Sequence, residues 1–226
     1  RKFKKFAMQK DVKTVLSLGG GGAKGCVGNF VMVYLLEKLD LMQYIEEVWG
    51  VSAGSMIGAA YCSGVPWSEL ASVMSKIRLR DFVTITAKTF DGEGYFGTER
   101  IHAFFKKMLA VDTFDECKKP FFALSTRYTG ESDEIVVFNK GVLADAVTAS
   151  IAIPDVFKPF ILDGKKYCDG GLIENTPCLS VYARHRDSKD PRRLAILSTC
   201  FGKENYADDE RGNFMAKIMN LLATYR

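Results

Sequence analysis

Histidine is close to absent from this chain: among 226 residues there are two, His102 and His185. The six cysteines, at 26, 62, 117, 168, 178 and 200, form no C-x-x-C pair. So few imidazoles and no paired thiols leave the usual zinc donor set missing, and no zinc site is expected. The thiols lie mostly in apolar stretches and read as reduced, semi-buried side chains of a protein folded in a reducing cytoplasm. No run approaches the roughly 18 uninterrupted apolar residues of a membrane-spanning helix. Acid is missing from the first ten residues, RKFKKFAMQK, which carry five basic side chains, while the remainder holds 26 basic and 27 acidic residues. A nearly neutral body argues against a nucleic-acid-binding domain, which spreads basic residues across a face of the fold. No long apolar core follows the N-terminal charges, so they do not read as a signal peptide. Residues 1–11 read as a basic linker whose charge also suits anionic lipid.

No Pro/Gly/Ser linker divides residues 12–226, which read as one domain. A domain of that size buries roughly 70% of its unfolded surface and needs no staple. VKTVLSL (12–18) reads as a buried strand, followed by a helical pattern through FVMVYLLEKL (30–39). IEEVWGVS (45–52) reads as a strand, AGSMIGAAYCSG (53–64) as a helix, and Pro66 opens another, PWSELASVMSKI. Strand and helix in alternation predict an α/β fold with a mostly parallel sheet and helices on its faces. Further on, FFALSTR, DEIVVFN, KKYCDGG and RRLAILSTC read as strands. TERIHAFFKKML, LADAVTASIAI and NFMAKIMNLLATYR read as helices. Residues 79–97, with Phe82, Phe90, Tyr95 and Phe96, are a candidate lid or membrane-facing edge, or aromatics packed beneath a loop.

Chemistry concentrates at three glycine-rich places. Gly50-Val51-Ser52-Ala53-Gly54 fits G-x-S-x-G between a predicted strand and a predicted helix. Small residues around the serine allow a sharp turn that lifts the hydroxyl above the sheet. The following helix points its N-terminus at it, where negative charge is favoured. A serine hydroxyl needs a base. His102 falls on a predicted helix face and His185 in ARHRDSKDPRR, which reads as an exposed charged loop; neither has a turn-like catalytic setting. Asp169, between a strand end and Gly170-Gly171, sits in a tight turn that can aim a carboxylate. Backbone amides come close to a substrate only where side chains are absent, and Gly20, Gly21 and Gly22 meet that need after the first strand. The same glycines fit the dinucleotide pattern G-x-G-x-x-G, but the second strand ends in GVSAG rather than in the required acid. A phosphate loop fails because Lys24 is followed by Gly25 rather than by serine or threonine.

Taken together, GGGGAKG (19–25), GVSAGS (50–55) and DGG (169–171) resemble the patatin-like phospholipase family. TRYTGE (126–131) and ASIAIPDVFKPF (149–160) are weaker matches, and the resemblance covers roughly residues 12–200. It implies a three-layer α/β/α sandwich and a lipid acyl hydrolase of phospholipase A or lysophospholipase type. Ser52 would be nucleophile and Asp169 base, without a catalytic histidine, metal or cofactor. Gly20, Gly21 and Gly22 would form the oxyanion hole. Lys24, Gly25, Gly50, Gly54, Gly170 and Gly171 would support the motifs, and Asn175 and Pro177 would shape the loop after the aspartate. Gly19 departs from the serine or aspartate common there. The expected partner is a phospholipid or other acyl-ester lipid, met through peripheral membrane contact, with no nucleic acid. An acyltransferase sharing the acyl-enzyme, or a silent lipid- or partner-binding domain, stays open on the residues alone.

Overall fold

The structure, a computed structural model, describes residue 5 and residues 9–76 and 96–201. Most of the candidate lid, the helical pattern at 213–226 and most of the basic N-terminal stretch lie outside the described residues. Among those described, seven strands form one mixed sheet: β1 (Val12–Leu18), β2 (Glu47–Val51), β3 (Phe121–Tyr128), β4 (Glu134–Phe138), β5 (Phe160–Leu162), β6 (Lys165–Asp169) and β7 (Arg193–Thr199). β7, β1, β2 and β3 pair in parallel. β4 and β6 run antiparallel to β3, and β5 antiparallel to β6. The helices are α1 (Gly22–Lys38), α2 (Ala53–Ser63), α3 (Trp67–Lys76), α4 (Glu99–Met108), α5 (Leu143–Ile151) and α6 (Cys178–Arg186).

Alternation along the strands divides the core between two faces. Leu16, Leu18, Val48, Phe121 and Ala123 pack with residues of α1 to α5. Val15, Trp49, Val51, Phe122 and Leu124 point the other way and pack with Val181 of α6. Trp49 stacks on Phe122 at 4.3 Å between centroids, and the Arg184 guanidinium lies over the other ring at 4.7 Å. The result is the expected three-layer α/β/α sandwich. All eleven residues of α2 are buried, as its small, apolar sequence AGSMIGAAYCS allows on every side of the helix.

Two elements depart from the sequence reading. β5, three residues long, is not among the strands read from the sequence, and α6 takes in residues 183–186, the first four of the stretch read as an exposed charged loop. His185 is therefore helical, and its Nε2 lies 3.0 Å from Glu47 Oε2. Phe96, one of the lid aromatics, is half-buried and tied to the segment before β5: its N–H donates to Val156 O, and its carbonyl accepts from Lys158 N–H.

Candidate active site

Ser52 sits between β2 and α2 with φ 52° and ψ −124°, a backbone region that non-glycine residues rarely adopt. Holding a serine there costs about 1–3 kcal/mol, so the surroundings must impose it. They do so from three sides. Its N–H donates to Ser150 Oγ at 3.0 Å. Its carbonyl accepts from the N–H of Ser55 and Met56 and from Ser55 Oγ at 2.7 Å. The flanking glycines leave no room for a different path. A Cβ on Gly50 would stand 2.6 Å from Gly54 O, and one on Gly54 would overlap the Leu18 carbonyl.

Strand register brings Asp169 to that turn. Residues 123 and 124 of β3 pair with both β2 and β4, while residues 125–127 pair with both β4 and β6. β2 and β6 therefore share one edge of β3 and meet end to end, Val51 opposite Leu124 and Asp169 opposite Ser125. Gly170 seals this junction, since a Cβ there would lie 2.6 Å from Leu124 O and 2.9 Å from Val51 Cγ2. Asp169 is buried, its N–H donates to Ala152 O, and its Oδ1 accepts from Gly171 N–H at 2.7 Å. Ser125 Oγ donates to the carbonyls of Ala149 and Cys168, and Thr126 Oγ1 to that of Asp169. The end of α5 thus holds both the serine, through Ser150, and the aspartate, through Ala152. Ser125 lies outside every matched stretch, and Thr126 and Ser150 fall within the weaker matches TRYTGE and ASIAIPDVFKPF, which gave neither of them a role.

The glycine loop is fixed as firmly. Gly19 N–H donates to Thr199 Oγ1 at 2.9 Å, and Gly19 O accepts from Asn29 Nδ2 at 2.8 Å. Thr199 Oγ1 also donates to Asn29 Oδ1. Gly20 N–H donates to Asn175 O at 2.9 Å, and a Cβ on Gly20 would lie 3.2 Å from Ser52 Cβ. Gly21 caps α1 and Gly22 begins it, with φ 143° and 53°. The first internal bond of α1 is Gly25 N–H to Gly21 O, so helix geometry leaves the Gly22, Ala23 and Lys24 amides without an intrahelical acceptor. Gly25 lets this turn approach α2: its Cβ would stand 3.1 Å from Ala53 Cβ. Two helix N-termini, with their partial positive charge, therefore converge beside Ser52. Asn175 Oδ1 lies close to the positions a Cβ would take on Gly20 and on Gly171, joining the glycine loop to the aspartate turn. Lys24 is exposed on the first turn of α1.

Neither histidine reaches this centre. His185 Nε2 is held by Glu47, at the opposite end of β2, roughly 16 Å of strand from Ser52. His102 Nε2 pairs with Asp145 Oδ1 in the first turn of α5. Among the described residues no group of three or more His, Cys, Asp or Glu is placed to hold a metal ion, and no helix is long and apolar enough to cross a membrane.

A serine on a strained strand-to-helix turn, with a buried carboxylate brought beside it by a second strand end, places the chain in the class of α/β proteins with a serine elbow. The family profile described as patatin-like phospholipase matches residues 16–182, and the chain belongs to that family. It is 26% identical over 211 residues to an uncharacterised NTE family protein of Mycobacterium tuberculosis, covering 92% of this chain and 55% of that one. It is 27% identical over 177 residues to the intracellular phospholipase A2 of Caenorhabditis elegans, covering 74% of this chain and 16% of that one. The chain thus spans about half the length of the mycobacterial relative and less of the nematode one. VipD from Legionella pneumophila shares the fold, with a TM-score of 0.57 at 13% identity over 93% of this chain and 54% of that one.

Proposed function

We propose that the chain is a lipid acyl hydrolase of the phospholipase A or lysophospholipase type, acting through Ser52 and Asp169. The observation that supports this reading is the end-to-end meeting of β2 and β6 on one edge of β3, so that the strand ending in the buried Asp169 runs up to the strand that leads into the strained Ser52. Family membership supports the substrate class.

In the first step Asp169 takes the Ser52 hydroxyl proton as the oxygen attacks the ester carbonyl carbon. Charge develops on the carbonyl oxygen, and the amides of Gly21 and Gly22 at the start of α1 stabilise it. Gly20 contributes differently, because its amide is held by Asn175 O: its lack of a side chain keeps the space beside Ser52 open. The tetrahedral intermediate collapses, and the alcohol leaves with the proton from Asp169. Water then attacks the acyl-enzyme with Asp169 as base, and the fatty acid departs as Ser52 regains its proton. Substrate held in a membrane requires the site to meet a lipid surface. Leu172 and Ile173, directly after the aspartate turn, and Leu179 on α6 are exposed and supply apolar area there.

The test is a phospholipid and lysophospholipid panel read by mass spectrometry. Free fatty acid should appear with the parent protein and be absent with a folded Ser52→Ala variant. Equal release by both would refute the reading.

A further inference from the structure

α1 is apolar on more sides than the sheet covers. No charged residue occurs from Gly25 to Leu36, and a helix that is apolar all round is normally a buried one. Its inner face is covered: Gly25, Asn29, Val33 and Leu36 are buried. On the opposite face Val27, Val31, Leu35 and Leu39 recur every four residues, and all four are exposed. That stripe runs for roughly 18 Å at 1.5 Å per residue. Among the described residues nothing closes over it. Beside it, between α1 and the end of β7, lies a groove of about 350 Å³. Val31, Met32 and Leu35 stand on one side and Cys200 and Phe201 on the other, and no charged side chain lines it.

The place where the chain leaves this surface points to the occupant. The described residues end at Phe201, whose ring occupies the space a Cβ on Gly28 of α1 would need. The chain therefore continues from the wall of the groove itself. In NFMAKIMNLLATYR, residues 213–226, Phe214, Ile218, Leu221 and Tyr225 follow at spacings of four, three and four, the pattern of one helical face. Asn213 is suited to cap its start. Fourteen residues of helix measure roughly 21 Å, which matches the stripe. Residues 202–212 make the connection, and eleven residues of coil span roughly 20 Å, enough to reach either end of it. Such a tether gives an effective concentration on the order of millimolar, which a free partner rarely matches. A second copy of the chain fits less well. Four side chains about half exposed offer a few hundred Å², well short of the roughly 800 Å² that one partner gives to a standard interface. We propose that residues 213–226 form an amphipathic helix seated along Val27, Val31, Leu35 and Leu39, with apolar side chains entering the groove beside Phe201. The assignment is independent of the chemistry at Ser52.

Hydrogen–deuterium exchange of the full chain, read peptide by peptide, is the test. In the parent the amides of residues 213–226 should exchange at least tenfold more slowly than in a synthetic peptide of the same sequence. Val31→Asp should remove that protection from one side of the contact, and Leu221→Asp from the other. Val31→Leu should keep it, as should Ile161→Asp, which alters a comparably exposed apolar residue on β5. Unchanged circular dichroism and unchanged exchange in β1 and β2 show that each variant is folded. Absence of protection in the parent, or equal protection in parent and Val31→Asp, overturns the proposal. So does protection that fades on dilution together with a dimer seen by light scattering, which assigns the stripe to a second copy. Protection that arises only with vesicles of phosphatidylcholine and phosphatidylserine assigns it to a lipid surface and overturns the proposal as well.

Discussion

Replacing Gly54 by alanine separates two opposed effects. Gly54 is the second residue of α2, and alanine in a helix is favoured over glycine by at most about 1 kcal/mol. Against this, the added Cβ would overlap the Leu18 carbonyl oxygen, stand 2.5 Å from its carbon and 2.8 Å from Gly19 O. All three are backbone atoms of β1 and the glycine loop, so no side chain can swing away. Overpacking of this kind costs about 1–3 kcal/mol or more. The overlap should therefore win, giving a net destabilisation of about 1–2 kcal/mol and a Tm lower by about 4 °C in a chain of this size. The larger effect should be on rate. Relief of the clash moves the start of α2 away from β1 and shifts Ser52 against the loop, and a displacement of about 1 Å costs around 100-fold in turnover. Thermal unfolding and hydrolysis of a soluble ester on the same preparation measure both. A Gly54→Ala protein that is more stable than the parent and fully active would refute the steric account of the elbow.

Ser52→Gly should abolish ester hydrolysis yet raise stability by about 1 kcal/mol, because strain of about 1–3 kcal/mol is relieved and only part is offset by the flexibility of unfolded glycine; denaturant titration reads the sign. Ser150→Ala removes the acceptor of the Ser52 amide and should destabilise by about 1–3 kcal/mol. In a kinetic split kcat should fall while KM for a short ester is retained. Glu47 contributes to the acid dependence. Burial pushes its carboxyl up, but hydrogen bonds from Lys13, Trp49 and His185 and the Lys13 charge outweigh that, leaving it below the ordinary 4.5. Its folded pKa is thus depressed, so the stabilisation is present above pH 4.5 and lost as pH falls through the folded value. Between pH 6 and 3 the denaturation midpoint of the parent should decline more steeply than that of Glu47→Gln.

Local chemistry makes the elbow readable, since G-x-S-x-G states both the turn and its nucleophile. The apolar helical pattern after the glycine run starts at residue 30, whereas α1 begins at Gly22. Glycine lowers helix propensity, but Gly25 packs on Ala53 and the tertiary contact prevails. α6 is hidden for a related reason. Val181 is its one buried residue, and its arginines resemble a solvated loop. Asp169 is legible as a turn residue, but its approach to Ser52 depends on the register of β2 and β6 on β3. Such long-range pairing leaves no mark in either strand's own sequence. The roles of Ser150 and of the Asn29–Thr199 pair are invisible for the same reason: they act through hydrogen bonds to backbone and side chain that only the fold brings near.

The measurement that bears most directly on the Ser52–Asp169 chemistry is rapid-quench mass spectrometry during turnover of p-nitrophenyl laurate. A single acyl adduct should map to the peptide containing Ser52, be absent from Ser52→Ala and form far more slowly in Asp169→Asn. An adduct on another residue, or one that forms at the parent rate in Asp169→Asn, would contradict the dyad.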